Sequence, residues 1–382
     1  MGNIIDYVLE FGNQSFSEVS FKKEDALLLC QFFYLDFDKI LNTLSEETVS
    51  VSELDLNAEK ESLFSNPRYE KDNRELFEAV VSSKRYSDIK LCMYINRIEV
   101  ENETQFAAVT MICPNAERLV IFRGTDENMV GWQEDFGLAL KKPITGQMLS
   151  AKYLNDVSAR FGGKLSVAGH SKGGNLSIYS SLCATDAVKE RIHNIYCFDG
   201  PGFRKEFLDK WKYWEISDRI IKVIPKSSIV GMILDTDENS QVVKARQLGM
   251  AQHKIFNWVI EDGELVSEEL SEQHELLVKS LNDWILSQSE EKLERFTDFL
   301  DHMLESTEAD TTVEFTNDVY HHMLLAIKAA TEIDDDTKEF LNLFLKSYFD
   351  IVKDAISDDV KQKVEEKVKR VMQGKLPWDD RE

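Results

Sequence analysis

The sequence predicts an α/β fold, a mainly parallel sheet with helices on both faces, followed by an all-helical C-terminal region. Three observations predict it. Short β-branched segments begin at about Lys84 and, beyond Phe122, alternate with helical stretches as far as Ala245. After Val266, apolar residues recur at three- and four-residue spacing with acidic residues between them. Only 6 prolines and 17 glycines in 382 residues leave little room for a flexible linker between the two parts.

The elements follow in chain order. Residues 1–60 mix apolar patches with acidic turns, and Leu27–Phe37, the most apolar piece, predicts a helix packed on later elements. Ile89–Val100, Gln105–Ile112 and Arg118–Phe122 alternate or are β-branched, which predicts a meander of strands. Gln147–Phe161 predicts a helix, Leu165–Ala168 a buried strand and Leu176–Ala184 a second helix. Ile195–Phe198, Ile220–Ile224 and Gln241–Ala245 complete the strands. Five amphipathic helices are predicted after them: Glu268–Leu286, Glu291–Leu304, Val313–Ala330, Lys338–Ala355 and Val360–Met372. The predicted domains are therefore residues 1–265 and an acidic helical region, 266–382.

Composition narrows the function. A hydrophobic share of 43% supplies a core and excludes disorder over most of the length. With 45 basic against 69 acidic residues the formal net charge is −24. That balance repels phosphate, so no nucleic-acid partner is expected and anionic membrane surfaces are disfavoured. Five cysteines with no CxxC pair exclude a disulfide scaffold and a zinc ribbon. The start Met1-Gly2-Asn3-Ile4-Ile5-Asp6 lacks the basic residues of a signal peptide and the Ser or Thr of a myristoylation site. No apolar stretch is long enough for a transmembrane segment. The expectation is a soluble, reduced, cytoplasmic protein.

The sharpest local signal is Leu165-Ser166-Val167-Ala168-Gly169-His170-Ser171-Lys172-Gly173-Gly174-Asn175-Leu176. It places G-x-S-x-G between a strand and a helix. A serine at such a sharp turn projects its hydroxyl above the sheet edge. The chain folds back there only if Gly169 and Gly173 carry no side chain. The helix that follows aims its N-terminus at the reaction centre, where negative charge develops.

A nucleophilic serine needs a base. His274, His302, His321 and His322 fall in the helical pattern, where solvated positions are expected, and His193 precedes a strand. His170 adjoins the serine but points elsewhere at an elbow. His253, in a loop after the last predicted strand, is the candidate base. Two acids compete for the third place. Asp199 ends the strand Ile195–Phe198 at the same sheet edge as Ser171 and is favoured; Asp235 is the alternative acid. The residues after Ile220–Ile224, Pro225-Lys226-Ser227-Ser228, contain no carboxylate. For an oxyanion hole, the N–H of Lys172 follows the nucleophile, and Thr125, in the glycine turn after Leu119–Phe122, is the second donor.

These residues resemble the fungal-type (class 3) lipase branch of the α/β-hydrolases. The resemblance rests on Ile121-Phe122-Arg123-Gly124-Thr125, Trp132, Asp135 and Gly169–Gly174. It is closer still to a little-characterised group of bacterial lipase-like proteins from Gram-positive organisms, through G-H-S-K-G-G-N-L, the Asp199–Phe203 stretch D-G-P-G-F, and Gln252-His253. It covers about residues 1–265. Class 3 lipases usually place the acid after the next strand, where this chain has Ser227 and Ser228. The resemblance implies a lid over Asp126–Leu149, with Met129, Val130, Trp132, Phe136 and Leu138 either covering an acyl pocket or anchoring the core.

The expected function is a serine esterase, lipase-like, that cleaves a small-molecule or lipid-like ester through Ser171, His253 and Asp199, with no metal and no other cofactor. Two alternatives stay open. One is a hydrolase-fold interaction protein that recruits a protein partner through its acidic C-terminal helices; the other is the same serine chemistry on an amide or thioester. Phe161–Leu165 lacks the Ser/Thr of a phosphate loop, and Asp235–Ser240 lacks the glycine of a calcium loop.

Overall fold

The computed structural model describes residues 2–65, 69–99, 104–114, 118–125, 143–210, 212–234, 240–247, 249–270, 272–289, 291–293, 334–340, 343 and 347. Eight strands form one sheet in sequential order: β1 (Val49–Ser50), β2 (Lys90–Glu99), β3 (Thr104–Ile112), β4 (Arg118–Phe122), β5 (Leu165–His170), β6 (Ile192–Phe198), β7 (Ile220–Pro225) and β8 (Gln241–Val243). The short links between β2, β3 and β4 leave those strands antiparallel, whereas β4 to β8 are all parallel.

Sequential order has a packing consequence. Crossovers between neighbouring parallel strands are right-handed, so helices that step the same way fall on one face. The helices Thr145–Arg160 and Lys172–Cys183 share that face, with Tyr153, Leu154, Val157, Leu176 and Ile178 against Val120, Phe122, Val167 and Ile195. Something else must cover the opposite face, and the N-terminal segment does. The helix Lys23–Phe32 lies on β4, β5 and β6. Its Leu27, Leu28 and Phe32 join Leu119, Ile121, Ala168 and Tyr196, the alternate residues of the same strands.

The sheet and its two covering layers bear out the predicted fold class. The local differences have physical causes. The Leu27–Phe37 helix begins earlier, at Lys23, because Asp25 belongs to its first turn: the carboxylate accepts the Lys22 N–H at 2.7 Å and is buried against Arg85. The Lys172–Cys183 helix begins four residues before Leu176, since Gly173 and Gly174 are close-packing positions within it and not breakers. Ile4–Phe11, Val51–Leu56 and Glu70–Val81 are helices the apolar pattern did not mark. Asn3 caps the first by accepting the Ile5 N–H at 2.8 Å.

Contacts divide the chain into two units, Met1–Asp126 with Val130–Leu270, and Glu127–Met129 with Ser271–Glu382. In the second unit the described helix Glu272–Ser287 carries Trp284, whose ring stacks on Phe340 at 4.6 Å between centroids. His274 of this helix is fully buried, which corrects the expectation of a solvated position. His302, His321 and His322 lie outside the described residues, as does most of the predicted span of the later helices. The five cysteines form no disulfide. Among the described residues, no helix is long and apolar enough to cross a membrane, and no cluster of His, Cys, Asp and Glu could hold a metal ion.

Candidate active site

Parallel strands present their carboxyl ends at one edge, where open α/β sheets bind ligands. Ser171 follows β5, Asp199 follows β6 and the Arg123-Gly124-Thr125 turn follows β4. His253 ends the short 3₁₀ turn Gly249–His253 that comes after β8.

Ser171 sits at φ 58°, ψ −130°, a left-handed conformation that costs a non-glycine residue energy and marks a strained elbow. Its surroundings hold it there. The Ser171 N–H donates to the Phe198 carbonyl at 2.9 Å, tying the turn to β6. A Cβ at Gly169 would overlap the Gly173 carbonyl, and one at Gly173 would overlap the Phe122 carbonyl. The two glycines are therefore required by backbone contact.

The Gly124 turn lies against this elbow. A Cβ on Gly124 would come within 2.5 Å of the His170 carbonyl and 3.0 Å of Ser171 Cβ. Thr125, next along, is buried, and Lys172 is the first residue of the helix that follows Ser171. The Lys172 side chain is buried as well and donates from Nζ to the Gln105 carbonyl at 3.0 Å.

Asp199 and His253 are brought together. His253 Nδ1 donates to Asp199 Oδ2 at 2.6 Å, with Asp199 only 1% exposed. The other carboxylate oxygen accepts from Ser228 Oγ and from the Gly231 N–H, the latter at 3.1 Å. Asp199 itself is at φ 50°, so the carboxylate, like the serine, is presented from a constrained backbone. The described residues contain no direct hydrogen bond between Ser171 Oγ and the His253 ring; such bonds are often long before substrate binds. Asp235, the alternative acid, lies outside the described residues, as do the proposed lid residues Met129, Val130, Trp132, Phe136 and Leu138. The lid segment's described end is the start of the Thr145–Arg160 helix.

Two motifs separated in sequence are one packing unit here. Asn175 donates through Nδ2 to the carbonyls of Pro201 (3.1 Å) and Gly202 (3.0 Å) and accepts from Gln147 Nε2 at 2.8 Å. Gly174 and Gly200 pack backbone to backbone, for a Cβ on Gly200 would come within 2.8 Å of Gly174 Cα. The D-G-P-G-F stretch is thereby fixed to the elbow helix, and with it Asp199.

Sequence reasoning missed several supporting residues. Gln252 is buried; its Oε1 accepts the Ser227 N–H at 2.8 Å and its Nε2 donates to the Gln247 carbonyl at 2.9 Å, joining the Ser228 loop to the His253 turn. Only its place beside His253 hinted at it. Ser228 stood out only as a residue without a carboxylate at the place where class 3 lipases carry the acid; Gly231 and Tyr34 carried no signal, because their partners are distant in the chain.

Sheet, elbow and covering helices make this an α/β-hydrolase fold. Comparison with known proteins finds a family model, Mbeg1-like, over residues 80–302, more than half of the chain. Among solved structures, the crystal structure of M37 lipase is 17% identical, covering 56% of this chain and 70% of that one with a TM-score of 0.37. A mutant form of MDLA from Penicillium cyclopium is 12% identical, covering 64% of this chain and 84% of that one with a TM-score of 0.36. No curated protein matches.

Proposed function

We propose, for a chain that belongs to the Mbeg1-like family, a serine hydrolase that cleaves carboxylic esters of a small or lipid-like acyl group. The observation that carries the proposal is the 2.6 Å bond from His253 Nδ1 to buried Asp199, one strand away from a serine held at φ 58°. A serine needs neither that strain nor such a neighbour for packing.

In this reading Ser171 Oγ attacks the acyl carbon while its proton passes to His253 Nε2. Charge moves to the carbonyl oxygen, which faces the N–H groups of Lys172 and Thr125. The imidazolium returns its proton to the leaving oxygen as the ester C–O bond breaks, and the alcohol departs from an acyl-enzyme. Water then attacks that acyl carbon and gives a proton to His253 Nε2. Collapse of the second intermediate releases the acid and restores the serine proton. Asp199 keeps Nδ1 protonated throughout, so that Nε2 is the atom facing the serine.

The test uses a fluorophosphonate probe, which labels only an activated serine, with p-nitrophenyl butyrate as a turnover substrate. Labelling is expected in the wild type and not in Ser171→Ala, with turnover in Ser171→Ala and His253→Ala down about a thousandfold or more. Equal turnover in wild type and Ser171→Ala ends the proposal.

A further inference from the structure

His170, the residue between β5's last glycine and the serine, makes contacts that the hydrolytic reading does not use. Its Nε2 lies 2.9 Å from the His253 main-chain carbonyl oxygen, and its Nδ1 lies 3.0 Å from the Tyr34 hydroxyl. Its ring is buried and lies over the ring of His253, with centroids 4.5 Å apart and planes inclined by 33°.

The hydrogen bonds fix the proton positions. A carbonyl oxygen only accepts, so the proton must be on His170 Nε2. In the neutral ring Nδ1 is then the acceptor, and Tyr34 donates to it. Tyr34 therefore selects the form of His170 that can hold the His253 carbonyl.

His253 has use for such a hold. One hydrogen bond to Asp199 fixes Nδ1 but does not by itself set the tilt of the ring about its side-chain torsions. The residue ends a 3₁₀ turn, and its carbonyl accepts from the His170 ring and, among the described residues, from no main-chain amide. The His170 ring closes one face of the imidazole, and its Nε2–H fixes the main chain that carries it. Because His170 is bonded covalently to Ser171, whatever fixes His253 to His170 also fixes it relative to the nucleophile.

We propose that His170 is a positioning residue that sets the His253 imidazole against Ser171, with Tyr34 holding His170 in the required tautomer. The inference rests on the hydrolase reading for its kinetic consequence but not for its tautomer.

Two measurements on the full chain test it. In the first, fluorophosphonate labelling rates and p-nitrophenyl butyrate kinetics are followed against pH. His170→Phe keeps the ring and removes the donor. It is expected to lower labelling and kcat about 10- to 100-fold with KM little changed, and to move the midpoint of the pH profile. His170→Gln restores an N–H donor and is expected to recover labelling to within about fivefold of wild type. Wild-type labelling with an unmoved midpoint in His170→Phe, while Ser171→Ala is unlabelled, overturns the positioning role and leaves the triad reading standing. Absence of Ser171 labelling in the wild type removes the triad reading, and the positioning role with it. The second measurement needs no turnover: ¹⁵N NMR of the histidine rings is expected to show His170 with the proton on Nε2 and to shift in Tyr34→Phe, a variant that loses one oxygen and keeps its ring. A proton on Nδ1, or a spectrum indifferent to Tyr34→Phe, overturns the inference even if His170→Phe fails to fold.

Discussion

Ser228 donates its hydroxyl to Asp199 across the gap between β7 and β6. Ser228 stands after β7, where the lipase resemblance led one to look for an acid, and a serine there is a partner for the carboxylate one strand back. The Gly231 N–H reaches the same oxygen at 3.1 Å, leaving the second oxygen to His253. Each side of the carboxylate is thus spoken for.

Asp199→Asn is expected to keep this shape and invert the polarity facing His253 Nδ1. On the proposed mechanism kcat falls by a thousandfold to about ten-thousandfold. Ser228→Ala, which leaves the carboxylate and removes one of its donors, is expected to cost about tenfold. Asp235→Asn is expected to turn over p-nitrophenyl butyrate at close to the wild-type rate. Steady-state kinetics on the three variants decide the acid: an inactive Asp235→Asn beside an active Asp199→Asn would reverse the assignment.

Gly124→Ala tests the proposed oxyanion role of the turn. Its methyl group would need space 2.5 Å from the Tyr34 hydroxyl and from the His170 carbonyl, so the turn must shift away from Ser171. Turnover is expected to fall about a hundredfold or more, the range seen when an oxyanion donor is lost. Little change in melting temperature beside that loss would place the effect at the site.

The sheet and the elbow were legible because both are written locally. β-branched runs bounded by Asn, Glu and Pro, and glycines two residues either side of Ser171, act within a few neighbours. The meeting of Asp199 and His253 was legible through topology, since each parallel strand ends at the same edge. What was hidden depends on distant pairs. Nothing near Tyr34 announces His170, and nothing near Gln252 announces the Ser227 amide. The Glu70–Val81 helix was missed for a similar reason: only Asn73, Leu76, Phe77 and Val80 are buried, so its apolar stripe is short.

The N-terminal helices are held by a buried ion pair, and its removal is expected to be severe. Arg85 Nε and Nη2 donate to the two oxygens of Asp25 at 2.7 and 2.6 Å, with Arg85 2% and Asp25 0% exposed. Tyr86 donates to the same carboxylate at 2.6 Å. Arg85→Met strands a buried charge and is expected to cost about 3–5 kcal/mol of stability. The double variant Arg85→Met, Asp25→Leu removes both charges and is expected to recover a substantial part of that loss, as read by urea denaturation. A single variant as stable as the wild type would show the pair to be dispensable.

Alkaline pH is expected to destabilise the fold. Burial, the leading cause in both, raises the Cys92 and Cys183 thiols from 9.0 to about 11. The native state therefore holds these protons more tightly than the unfolded chain. The stabilisation is complete below pH 9 and is lost as pH rises towards 11. Urea midpoints from pH 8 to 11 are expected to fall more steeply in the wild type than in a Cys92→Ala, Cys183→Ala double variant. Parallel curves would exclude the thiols as the cause.

The family-matched stretch begins at residue 80, yet Leu27, Leu28 and Phe32, well upstream, shield one side of the central strands. A fragment trimmed to that stretch would bare Leu119, Ile121, Ala168 and Tyr196 to water, a greasy slab prone to clump. It would also lose the Tyr34 hydroxyl beside His170. Truncations should therefore spare the first 79 residues, whose apolar side chains roof the sheet and whose Tyr34 reaches the edge that carries Ser171.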